Sequence, residues 1–346
     1  MARLHISVIA LLFISLVVAT HAQSGIFNIP HLLESAGAIV KGAIKDGRSY
    51  IPTPEGIFES SKNLLAGYPL EVVSSAINTI CSSGLATRTM RSLVKPDLRK
   101  MQFQLRTTCN KHSYPLLDAN QIWRSPEFDP SKKVVILVTG WTTTVNDTDT
   151  IDVLAKAYNC RGDVNFVAVD VGNYVNSLYT WAAMNTEDIG KSLAEGIDLL
   201  TQVVPLENIH LIGHSLGAHI VGTAGRYFNY KTGKLVPRIT GLDTAKPCFN
   251  EGHALSGLHR GNAKFIDVIH SNPGVMGKRE ALGDVDFYPG GLDPLPKGCL
   301  TVLCAHARSW EYYAESVYPG NEREERADLL GRVFNRQVYP RTYLLA

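Results

Sequence analysis

The chain carries little charge and no concentration of either sign. Of its 346 residues 19% are charged, 34 Lys and Arg stand against 32 Asp and Glu, and no block of like charge runs along the sequence. Nucleic-acid binding, which needs a basic face, is excluded on that ground. Low-complexity tracts are missing, and with 45% apolar residues the composition excludes a disordered chain or a fibrous repeat. The sequence holds no HExxH, no paired CxxC and no EF-hand loop, so no metal is expected, and no cofactor is implied. After Val18 no apolar run approaches the roughly 20 residues that cross a bilayer, and no transmembrane segment is expected.

At the N-terminus Arg3 precedes an apolar run over residues 6–18, with small residues at Ala19, Thr20 and Ala22. That order of charge, apolar core and small residues is a secretory signal peptide over 1–22, cut after Ala22. A secreted, extracellular protein follows. In that compartment the six cysteines, Cys81, Cys109, Cys160, Cys248, Cys299 and Cys304, read as disulfide candidates. Asn146-Asp147-Thr148 makes Asn146 a candidate glycan site.

Residues 23–100 place Leu32, Ala36, Ile39 and Ala43, then Leu70, Val73, Ile77 and Ile80, at helical spacing, interrupted by Pro30, Pro52, Pro54 and Pro69. A helical extension is expected there. From Met101 the period changes: Met101, Phe103 and Leu105 alternate with Gln102, Gln104 and Arg106, as the first strand of a main domain over 101–346 would. Apolar, β-branched runs follow at 134–139, 165–171, 209–214, 238–242 and 264–270. Between two of them Ile189, Leu193, Ile197 and Leu200 form one helix face, which Thr186, Glu187 and Asp188 are placed to start. Strands alternating with helices predict an α/β architecture with a mostly parallel central sheet flanked by helices. Too little chain follows His306 for a C-terminal β-sandwich of about 100 residues.

Gly213-His214-Ser215-Leu216-Gly217 lies between the run ending at Ile212 and a helical stretch over 216–227. GxSxG is a weak pattern alone; between a strand and a helix it is the context of a nucleophile elbow, where a sharp turn lifts Oγ off the sheet. A serine needs a histidine base oriented by a carboxylate, in the chain order Ser, acid, His. Asp243 ends the run Ile239-Thr240-Gly241-Leu242 and is the best-placed acid, whereas Asp267 falls inside a strand and Asp284 and Asp286 read as loop residues. Spacing alone leaves His253, His259, His270 and His306 as bases. Cys304 favours His306, because a disulfide there would pin its loop. His214 and His219, within and just after the elbow, read as packing residues.

These residues together resemble the pancreatic lipase family. The resemblance is carried by the elbow with Ala218-His219, by Ile239-Thr240-Gly241-Leu242-Asp243-Thr244-Ala245-Lys246-Pro247, by Phe265-Ile266-Asp267-Val268-Ile269-His270, by Asp286-Phe287-Tyr288-Pro289, and by Cys304-Ala305-His306-Ala307-Arg308-Ser309. It covers residues 101–346, and the extension before them is similar to that of the insect lipase and yolk-protein branch. The resemblance implies an α/β-hydrolase fold and a triad of Ser215, Asp243 and His306, with an oxyanion hole from the backbone N–H groups of Leu216 and Trp141. Two departures stand out: Thr139 and Val171 occupy positions where family members usually carry His and Trp.

In the family a lid lies between cysteines matching Cys299 and Cys304, which implies that these two pair. Here only Leu300, Thr301, Val302 and Leu303 separate them, too little chain for a lid. Together with the short segment after His270, this points to a phospholipase A1-like enzyme or a broad lipase acting at a lipid–water interface without colipase. Met276, Lys278 and Arg279 are candidate contacts to that interface. The competing expectation is a non-catalytic lipid or steroid carrier, or a yolk-type storage protein, on the same fold.

Overall fold

The computed structural model describes residues 81, 95–140, 149–171, 179–249, 255, 257–318 and 338–340. The expected signal peptide, most of the 23–100 extension, Trp141 and Asn146 lie outside the described residues. The strands are β1 (Gln102–Arg106), β2 (Lys111–Pro115), β3 (Lys133–Val138), β4 (Val164–Asp170), β5 (Ile209–His214), β6 (Val236–Leu242), β7 (Ala263–Ile269), β8 (Val285–Phe287) and β9 (Val338–Pro340). They form one sheet in the order β2-β1-β4-β3-β5-β6-β7-β8-β9. Pairings from β4 to β8 are parallel, and antiparallel pairs close both edges.

The helices are α1 (Asp149–Arg161), α2 (Tyr179–Leu200), α3 (Leu216–Thr232) and α4 (Val302–Val317). Successive strand residues point to opposite faces, so each face builds its own core. Leu193, Ile197 and Ile220 of α2 and α3 pack with Ile136, Leu211 and Ile239. On the other face Leu154, Tyr158, Trp310 and Tyr313 of α1 and α4 pack with Leu137, Phe166, Ile212 and Leu242. Burial on both faces is why the central strands read as unbroken apolar runs.

Three expectations change in detail. Helix α2 begins at Tyr179, two turns before Thr186, because Ala182 and Ala183 are fully buried in the same cluster. Thr186 does not cap; its hydroxyl donates to the Ala183 carbonyl (2.8 Å) inside the helix. The alternation in β1 does not divide core from solvent, since Gln104 and Arg106 are buried too. Arg106 donates to Asp152 of α1 (2.6 Å), an ion pair that lets a charged side chain lie under a helix. Finally, not all six cysteines are bonded. Cys81 pairs with Cys248 and Cys299 with Cys304, while Cys109, between β1 and β2, and Cys160, near the end of α1, are free and exposed. Cys81 is itself buried in the larger cluster, tying the segment before β1 to the domain. No described helix is long and apolar enough to cross a membrane.

Candidate active site

β5 ends at His214 and α3 starts at Leu216, so Ser215 alone makes the turn, with φ 57° and ψ −123°. A non-glycine residue in this region costs about 1–3 kcal/mol and persists only where its surroundings enforce it. Here the Ser215 N–H donates to Leu242 O (3.0 Å), and its carbonyl accepts from Ala218 N and Ala245 N (3.2 Å each). The flanking glycines let the turn close: a β-carbon on Gly213 would stand 2.3 Å from Ala218 Cα, and one on Gly217 2.0 Å from Val138 O. Leu216, first residue of α3, has no intrahelical acceptor for its N–H, and the helix N-terminus favours negative charge beside Ser215.

Asp243 directly follows β6, also at positive φ (43°), and is fully buried. Its Oδ2 accepts from His306 Nδ1 at 2.5 Å, and its Oδ1 accepts from Ser271 N and Asn272 N at 2.9 Å each. Sheet register accounts for this. Leu242 pairs with Ile269, so the carboxylate after β6 lies level with the first free amides after β7. Those two amides were missed in the sequence, although any acid placed after one parallel strand should meet the amides after its neighbour.

His306 lies in the opening turns of α4, not in a loop, and Thr301 caps that helix by accepting from Cys304 N (3.2 Å). The Cys299–Cys304 bond therefore closes the entry to the helix. The His306 carbonyl accepts from His214 Nε2 (3.3 Å) and Ser309 Oγ (3.1 Å), and the His214 and His306 rings are 4.6 Å apart. Burial pushes His214 down to about 3, with the neighbouring His306 as a lesser cause, so His214 is a neutral donor. His219 is likewise pushed down to about 3, chiefly by burial; it donates from Nε2 to Ala245 O (2.7 Å) and accepts at Nδ1 from Leu258 N (3.0 Å). Both are packing residues.

Of the other candidate bases, His259 bonds the Arg260 carbonyl, His270 bonds Asp286, and His253 lies outside the described residues. Among those described, His306 alone reaches Asp243. Asp267 is held by Arg238 (2.9 and 2.7 Å). Asp286 is not a loop residue: it sits inside β8, fully buried. Lys278 is not available to a ligand either, because it is buried and its Nζ donates to Phe249 O (2.6 Å). Thr139 and Val171 are both buried. A cavity of about 560 Å³ lined by Glu207, Lys234 and Lys264 opens where β5, β6 and β7 begin, at the opposite end of these strands from Ser215.

A mostly parallel sheet with helices on both faces, a strained serine after β5, and a buried pair of Asp243 after β6 with His306 of α4 define an α/β-hydrolase. The chain belongs to the pancreatic lipase family: the family model described as Lipase matches residues 72–327. Vitellogenin-3 of Drosophila melanogaster is 41% identical over 170 residues, 49% of this chain and 40% of that protein. Pancreatic lipase-related protein 2 of Cavia porcellus is 33% identical over 247 residues, 68% of this chain and 56% of that protein. The chain thus spans about half the length of the curated relatives it matches. Among solved structures, a hyperthermophilic esterase from Pyrobaculum calidifontis aligns over 75% of this chain and 96% of that one at 12% identity and a TM-score of 0.32, too loose a likeness to bear on the site.

Proposed function

We propose that the protein is a secreted serine ester hydrolase of lipid esters, phospholipase A1-like or a broad lipase. The observation that carries this reading is the buried Asp243–His306 hydrogen bond, 2.5 Å long, in a fold whose elbow still holds Ser215. Ser215 Oγ attacks the ester carbonyl while His306 Nε2 takes its proton, and Asp243 holds the ring with Nδ1–H inward. The tetrahedral oxyanion is met by the N–H groups of Leu216 and Trp141. Collapse releases the alcohol, which takes the proton back from His306. Water, deprotonated by His306, then cleaves the acyl-enzyme to a fatty acid and restores Ser215.

A lipid–water interface suits the surface beside His306. Leu300 is 94% exposed and Leu303 60%, both within the Cys299–Cys304 loop, and Leu292 and Leu295 are exposed on the segment before it. A cluster of exposed leucines at the start of the helix bearing the base favours an aggregated apolar substrate. Arg279 is also exposed and available to an anionic head group.

The likeness to Vitellogenin-3 favours a second reading, a yolk-type or lipid-carrying protein without catalysis. Purified protein and Ser215→Ala are compared on phospholipid labelled separately at its two acyl positions. Release from the sn-1 position, lost in Ser215→Ala, is expected. Release from sn-2 alone would contradict the A1-like assignment, and co-purified lipid with no hydrolysis would favour the carrier.

A further inference from the structure

A second buried histidine–carboxylate pair lies behind Asp243. His270 directly follows β7 and Asp286 is the middle residue of β8, and both are fully buried. His270 Nε2 stands 2.8 Å from Asp286 Oδ1, and its Nδ1 stands 2.8 Å from the carbonyl oxygen of Lys278. A carbonyl oxygen only accepts. Asp286 takes two more donors, Leu282 N at Oδ1 (2.9 Å) and Gly283 N at Oδ2 (3.0 Å), which is how an ionised carboxylate is solvated by a protein. With an acceptor facing each ring nitrogen, both nitrogens carry hydrogen.

We propose that His270 is an imidazolium ion-paired to Asp286 and that the pair is a positioning device for Asp243. This rests on the reading of Asp243 as the acid of the triad. The segments joined at the His270 ring are the ones that surround the Asp243 carboxylate. Ser271 and Asn272, next along the chain, give Asp243 Oδ1 its two amide hydrogen bonds. Lys278, which takes the Nδ1 hydrogen, donates its own N–H to Thr244 O (2.8 Å), one residue beyond Asp243. Gly277 before it is pressed against the same carboxylate, where a β-carbon would stand 2.3 Å from Oδ1. β8 contributes Asp286 and also the Phe287 carbonyl that accepts the His270 N–H (2.8 Å).

The groups around the ring leave one cation balanced by one anion. Tyr288 stacks on it with centroids 4.4 Å apart and planes 5° from parallel, an aromatic face suited to a cation, and sends its hydroxyl to Arg279 O. The Lys278 ammonium is turned away toward Phe249 O and Glu280. Removing the second proton would leave a lone pair facing an oxygen, and the strain would fall on the chain that carries the Ser271 and Asn272 amides.

The test combines NMR of the full protein labelled with 15N-histidine and kinetics of His270→Gln and Asp286→Asn. Two N–H hydrogens are expected on the His270 ring near neutral pH, identified by their loss in His270→Gln. Each folded variant should lose about 10²-fold in kcat with KM nearly unchanged. The acid limb of the pH–rate profile should move upward, because an Asp243 stripped of amide donors holds the His306 proton more tightly. A single ring N–H would overturn the ion pair. Folded variants with unchanged kcat and pH profile would overturn the positioning role. If wild-type protein shows neither turnover nor serine labelling, the enzyme reading fails and the positioning role with it, whereas the hydrogen count is read without any activity.

Discussion

Gly140 and Ser215 are in contact just beyond the ends of the neighbouring strands β3 and β5: a β-carbon built on Gly140 would stand 2.5 Å from the serine's Cβ and 2.9 Å from its Oγ. Gly140 therefore lies directly against the proposed nucleophile, and the next residue in the sequence is Trp141, whose N–H is the second proposed oxyanion donor. Gly140→Ala should force the two apart, and a displacement near 1 Å costs on the order of 10² in rate. Measured kcat/KM is expected to fall by about that factor, with a smaller stability loss of about 1–3 kcal/mol. Full activity in a folded Gly140→Ala protein would contradict the arrangement.

Stability should fall as the medium becomes acidic. His214 and His219 are each held down to about 3, mainly by burial, while an unfolded chain binds protons on histidine from about pH 6.5 downward. The native state binds fewer protons between those values, so stability is complete above about pH 6.5 and is lost as pH drops toward 3. Two such histidines amount to about 4 kcal/mol between pH 7 and pH 5. Urea unfolding at the two pH values measures this, and His214→Gln, which keeps a donor for the His306 carbonyl, should remove about half of the difference. An unchanged pH dependence in His214→Gln would show that this side chain is not buried and neutral.

The two disulfides are unequal. Cys81–Cys248 joins positions 167 residues apart, whereas Cys299–Cys304 spans five, and chain entropy favours the longer closure. Replacing Cys81 and Cys248 by serine should lower unfolding free energy by about 2–5 kcal/mol, and replacing Cys299 and Cys304 by less. Peptide mapping without reduction should find both bonds and alkylated Cys109 and Cys160. A bond involving Cys109 or Cys160 would overturn the pairing.

Leu300 and Leu303 are expected to matter on lipid aggregates and not on soluble esters. Immersing a leucine contributes about 1.5–3 kcal/mol, so Leu300→Asp should reduce hydrolysis of phospholipid vesicles by more than tenfold. Turnover of a water-soluble short-chain ester should stay within about twofold. Equal losses on both substrates would place Leu300 in the chemistry or the fold, and not at the interface.

The parallel core was legible because strands buried on both faces leave long apolar runs, and because a GxSxG between strand and helix has few other uses. Asp243 was legible for a related reason, as the residue ending such a run. What escaped was set by the third dimension. β8 has only three residues, too few for a period, so Asp286 looked like a loop residue. Gly140 resembled any turn glycine until β3 and β5 lay side by side. Arg106 stands among the polar positions that alternate with the apolar ones in β1, and its ion pair with Asp152 on α1, which no local sequence pattern reveals, goes with its burial. His306 was favoured through Cys304, but the cysteine acts on a helix entry and not on a loop.

The central claim is that Ser215 is an activated nucleophile. A fluorophosphonate probe, which reacts with activated serines, is added to the folded protein and the modified peptide is mapped by mass spectrometry, with Ser215→Ala as control. The account predicts a single adduct on Ser215 that disappears in the variant. Folded protein that takes up no probe, or takes it up equally in Ser215→Ala, would contradict it.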